Sequence, residues 1–154
     1  MITTMVKITL EEIITKELAY LFSDYQFQKT SYGYNPQLMG NEGYTISNGK
    51  TMIGFTKDRD QLFVDFGHSG LPRNKWYTLT LILRAKKIVN VSENKFTNGN
   101  GERLTVEEQA KYVSPIIKTY CEDILSGNWG IEGEIFMAGK INAEEVIRKL
   151  TGKK

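Results

Sequence analysis

His68 is the only histidine in this chain, and it follows Asp65-Phe66-Gly67 at the end of an alternating apolar run. An Asp and a His near a strand end are residue types that can pass protons at neutral pH, so a small enzyme with a pocket near Asp65 and His68 is one reading. The competing reading is a loop histidine, since no Ser or Cys nucleophile motif accompanies it. Cys121 falls within the apolar stripe of a predicted helix, where burial raises a thiol pKa and leaves it inert. One His and one Cys leave only carboxylates for a metal, and Asp58-Arg59-Asp60 lacks the Gly and the closing Glu of a calcium loop. We therefore expect no metal and no cofactor. Gly133 to Lys140 has the wrong glycine spacing for a phosphate loop and Ile141 where Ser or Thr belongs, and Gly99-Asn100-Gly101 lacks the third glycine of a dinucleotide fingerprint. No catalytic residue is assigned.

Two segments have the composition of contact surfaces. Tyr32 to Tyr44 is rich in Tyr, Gly and Asn, the mixture of rigid aromatic area and adaptable polar groups that binding loops use. Its candidate partner-binding residues are Tyr32, Tyr34, Asn35 and Tyr44. The alternative is that the tyrosines cover a sheet edge while the glycines make turns. From Arg73 to Arg103, seven basic residues (Arg73, Lys75, Arg84, Lys86, Lys87, Lys95 and Arg103) stand against Glu93 and Glu102. Arg73, Lys75, Trp76 and Tyr77 form a basic and aromatic group that could touch phosphates and stack on bases. A solvated face is the competing reading, because the whole chain carries only +2.

The elements that must position these residues are partly legible. Thr9-Leu10-Glu11-Glu12, Thr105-Val106-Glu107-Glu108 and Asn142-Ala143-Glu144-Glu145 each place a capping oxygen ahead of acidic residues, predicting three helix starts. The first helix should run from Leu10 to about Ser23. The second should run from Val106 to about Ser126, with Pro115 bending or splitting it and Gly127 ending it. The third should be short, from Ala143 to Leu150. Gln26 to Gly43 reads as loop or edge, with a strand beginning at Phe27.

Tyr44 to Ser47 and Lys50 to Phe55 flank Asn48-Gly49, the pair a two-residue type I′ turn prefers. That pairing sets Ser47 opposite Lys50 and puts Tyr44, Ile46, Thr51, Ile53 and Phe55 on the core face. Leu62, Val64 and Phe66 make the next strand. Trp76 to Val89 satisfies both strand propensity and helical spacing, and we read it as helix. The fold expected is one α+β domain over residues 1–154, an antiparallel meander of three or more strands packed on an N-terminal helix and a long helix in the C-terminal half.

At 40% hydrophobic and 25% charged residues the composition is that of a globular protein, and no apolar run reaches the ~20 residues a membrane span needs. Met1 to Lys7 has no apolar core followed by a cleavage site, so we expect a cytoplasmic protein without a membrane partner. A single cysteine agrees with a reducing compartment.

The capped first helix, the Asn-Gly hairpin with "MIGFTKDRDQLFVDFG" and the late helix ending "YCEDILSGNW" together resemble small bacterial α+β domains of the toxin-immunity type. The resemblance covers the layout of most of the chain and carries no catalytic motif. It implies a non-enzymatic protein whose partner is another protein, a toxin that it binds and blocks. This chain is slightly basic where many such proteins are acidic. The nucleic-acid reading of residues 73–103 and the enzyme reading of Asp65 and His68 stand as alternatives.

Overall fold

The computed structural model describes residues 8–35, 41–88, 91 and 96–152. Within them the chain forms an α+β fold: α1 Leu10–Glu17, α2 Tyr20–Ser23, β1 Gln28–Asn35, β2 Asn41–Ser47, β3 Met52–Asp58, β4 Gln61–Gly67, β5 Tyr77–Thr78, α3 Leu79–Ala85, α4 Val106–Tyr120, α5 Glu122–Leu125 and α6 Glu132–Thr151. The five strands lie in chain order in one antiparallel sheet. Residues alternate across each strand, so Tyr44, Ile46, Ile53, Phe55, Leu62, Val64 and Phe66 all face the core, where they meet Leu10, Ile14, Val113 and Ile117 of the helices.

Both threonine hydroxyls cap as the sequence predicts, while the reciprocal capping box expected at both forms at Thr105 and not at Thr9. The Thr105 hydroxyl accepts from the Glu108 N–H while the Glu108 carboxylate accepts from the Thr105 N–H, a complete capping box. At Thr9 the hydroxyl accepts from the Glu12 N–H and donates to the Glu12 carboxylate. A buried carboxylate from β2, Glu42, adds an acceptor for the Leu10 N–H. Gln109 joins α4 to the sheet: its Oε1 accepts from Leu62 N at 2.8 Å, and its Nε2 donates to the carbonyls of Asp60 and Leu104.

Five expectations are corrected. The first helix breaks at Leu18 (φ −119°, ψ 40°), giving α1 and α2. The late helix passes through Pro115 and breaks instead at Cys121 (φ −114°, ψ 16°). Asn142 does not start a helix; it lies in the middle of α6, which begins at Glu132, buries Ile135 and packs along α3. The segment after Trp76 is strand for two residues and helix for seven.

The hairpin pairs Ser47 with Met52, not Lys50, so four residues form the connection, and only Gly49 among them has positive φ, at 88°. The turn is not type I′. Because the register moved by two, every side chain kept its face. Pro36 to Gly40 of the candidate loop, and Lys95, lie outside the described residues.

Candidate functional site

The two candidate surfaces occupy opposite edges of the sheet, β1 at one end and β5 at the other. They therefore cannot act as one site.

At the first edge, Tyr32 to Asn35 of the Tyr/Gly/Asn segment end the eight-residue strand β1, an edge strand as one of the two readings had it, and Asn41 to Tyr44 begin β2. Period-two alternation of Tyr32 and Tyr34 around Gly33 was the available signal, outweighed by the glycines and asparagines. A bulge between Lys29 and Ser31 interrupts pairing with β2, and the Thr30 hydroxyl donates to the Thr45 carbonyl there. One side of β1 pairs with β2, and the other is the edge of the sheet. Lys29 is held by Glu11 at 3.0 Å and lies over the Tyr32 ring at 5.8 Å. Burial and the neighbouring Glu42 push the Tyr32 phenol up from its ordinary value.

Tyr34 is 49% exposed, whereas Tyr44 is 1% exposed and stacked on Phe55. Tyr44 is thus a core residue and is removed from the candidate contact set. Asn35 pairs with Asn41 through the backbone, and its side chain lies outside the described residues.

On the sheet face turned away from the core, Gly33 lies opposite Gly43, and a Cβ added to either would meet nothing within 4 Å. Neither glycine has positive φ. The fold therefore gives no steric or backbone reason for glycine at these positions, and strand interiors disfavour it. Together they leave bare backbone on that open face, whereas Tyr34, paired with the buried Glu42, projects from the other face of the sheet.

The Asp65–His68 couple does not form. Asp65 binds Arg73 at 2.6 Å, while His68 Nε2 lies 2.7 Å from Glu132 Oε2, contributed by α6. The His68 Nδ1 accepts from the Gly70 N–H at 3.2 Å, so in the neutral ring Nε2–H is the donor to Glu132. Both ring nitrogens of His68 are thus engaged within the fold. Tyr77 donates to the same Glu132 oxygen at 2.9 Å. Burial opposes the Glu132 charge, but hydrogen bonds from His68 and Tyr77 outweigh it and hold the carboxyl below its ordinary value. The His68 and Tyr77 rings both lie against Trp129, whose N–H donates to the Thr51 hydroxyl at 3.0 Å. This clasp ties α6 to the sheet, and neither Glu132 nor Trp129 was identifiable from sequence. A groove of about 290 Å³ beside Asp65 is lined by Thr56, Phe63, Val64, Thr78, Leu79 and Thr80, without His68.

The basic and aromatic group is absorbed by the fold. Arg73 stacks 4.3 Å from the Trp76 ring while paired with Asp65. Trp76 donates to the Leu71 carbonyl and covers Gly67, where a Cβ would come within 2.3 Å of the indole. Tyr77 is buried, with burial and then Glu132 pushing its phenol up to about 12. Of the four, Arg73 and Lys75 stand exposed, and Lys75 enters none of these contacts. Elsewhere in the segment Lys86 pairs with Asp123, Arg84 donates to Asn142 and Arg103 lies 3.7 Å from Asp60. These cations face different elements and make no stripe for a phosphate backbone.

Among the described residues no group of three or more His, Cys, Asp or Glu side chains could hold a metal ion, and no helix is long and apolar enough to cross a membrane. In comparisons with known proteins, no family model, curated protein or solved structure matches this chain.

Proposed function

We propose that this chain is a non-enzymatic binding protein of the toxin-immunity type, which captures and blocks a bacterial protein toxin through the β1 edge of its sheet. The carrying observation is the edge strand itself. It combines an outer edge with which no other described strand pairs, the half-exposed Tyr34 on one face of the sheet and the uncovered Gly33–Gly43 pair on the other. An extended partner segment can add to such an edge by main-chain hydrogen bonds, with an aromatic anchor supplying apolar contact. Cytoplasmic residence in a bacterium belongs to the same proposal, supported by a lone buried thiol.

Affinity for a toxin purified with the chain tests it, measured beside thermal melts. Tyr34→Ala should weaken binding by about 1–2 kcal/mol and leave the melting temperature unchanged. Affinity indifferent to both Tyr34 and Tyr32 overturns the assignment of this edge.

A further inference from the structure

Six of the nine large hydrophobic side chains that stand exposed among the described residues belong to α6: Phe136, Met137, Ile141, Val146, Ile147 and Leu150. The helix leaves the body of the protein near Asn142, which accepts from Arg84, and every residue from Ala143 to Thr151 is exposed. With 3.6 residues per turn, Ala143, Val146, Ile147 and Leu150 fall at i, i+3, i+4 and i+7, one narrow apolar stripe. Val146 is 49%, Ile147 60% and Leu150 81% exposed.

The charges beside that stripe identify what fits it. Residues 143–150 read Ala-Glu-Glu-Val-Ile-Arg-Lys-Leu, with an acidic first half and a basic second half. Set antiparallel to itself about a two-fold axis between Val146 and Ile147, the segment places Glu144 by Lys149 and Glu145 by Arg148 of the second copy. The same register places Val146 by Ile147 and Ala143 by Leu150. Every charge meets its opposite and every apolar residue meets another, as an isologous interface requires. A parallel pairing would instead set Glu against Glu and Arg against Arg.

We propose that the projecting half of α6 is a self-association surface that pairs antiparallel with α6 of a second copy of this chain. Eight residues of helix span only about 12 Å, so the contact belongs to the weak, concentration-dependent class. It is separate from the β1 edge and does not depend on the function proposed there.

Sedimentation equilibrium over a range of loading concentrations at low salt tests the proposal. The wild-type mass should rise from 17.6 kDa toward twice that value, and added salt should reverse the rise. Glu144→Lys with Glu145→Lys makes the segment wholly basic; Arg148→Glu with Lys149→Glu makes it wholly acidic. Each double variant alone should stay monomeric, and an equimolar mixture of the two should associate. Wild-type protein that remains monomeric at every concentration overturns the proposal, as does either variant associating alone or a mixture that fails to associate. Should the charge variants lose helical circular dichroism, Val146→Ser and Ile147→Ser keep every charge and should be monomeric; association as in the wild type would equally overturn it.

Discussion

The side-chain amide of Asn48 donates to the carbonyl of Leu125 at 2.9 Å, across 77 positions of chain. The same nitrogen donates to the Tyr25 carbonyl at 3.1 Å, while Oδ1 accepts from the backbone N–H groups of Lys50 and Thr51. One turn residue thus joins the hairpin, the chain after α2 and the end of α5. Its neighbour Thr51, buried, donates its hydroxyl to the Ile124 carbonyl beside it.

Asn48→Ala should therefore destabilise the fold by roughly 1–3 kcal/mol, because four backbone groups lose a partner. Asn48→Asp keeps the two acceptor contacts but sets a carboxylate oxygen against the Tyr25 and Leu125 carbonyls, so it should be no more stable than alanine. Urea unfolding of the three proteins checks the order. Equal stability of Ala and wild type would show that water replaces the amide at no cost.

Gly49 has φ of 88° with open space around its missing Cβ, so substitution there carries a backbone cost alone. Gly49→Val should cost about 1–2 kcal/mol and should not alter the core-face residues. A thermal melt unchanged from wild type would mean that the turn relaxes to another conformation.

Gly33 and Gly43 should behave in the opposite way. With nothing within 4 Å and no positive φ, Gly43→Val gains strand propensity, on the order of 1 kcal/mol, without a clash. Stability should rise or hold while toxin binding at the β1 edge falls, since the added side chain stands on the open face. A variant that melts lower would reveal a folding role for the bare backbone; one that binds as well as wild type would move the contact off this face.

Cys121 is fully buried, and burial pushes its thiol up to about 12, with the Lys86 ammonium opposing the shift. It should resist a thiol reagent in native buffer and label at once in denaturant. Rapid native labelling would show that the α4–α5 break opens.

The Glu132 clasp should make α6 anchoring acid-sensitive. A carboxyl held below its ordinary 4.5 in the folded state contributes stability that is present above that value and lost as pH falls through the lowered one. Glu132→Gln should accordingly melt below wild type at neutral pH, and the gap should close on acidification. A gap independent of pH would assign its effect to packing.

What this sequence determined by itself was local. Thr9 and Thr105 cap helices because a hydroxyl reaches an N–H three residues away, and Leu62, Val64 and Phe66 share a face because strands alternate. The core face of the hairpin was legible even though its turn was not, since a register shift of two leaves faces unchanged. Tertiary structure alone decided the rest. Asn142 has the residues of a helix start and sits mid-helix, because the tertiary contacts that bury Ile135 and set α6 along α3 carry the helix from Glu132 through it. His68 finds Glu132 rather than Asp65, a partner 64 positions away that no spacing rule could supply. Tyr44 went to the core while Tyr34, ten residues before it, stayed at the edge. The composition of their segment is the same for both, and only their depth beneath α1 and their place along paired strands separates a packing residue from a contact residue.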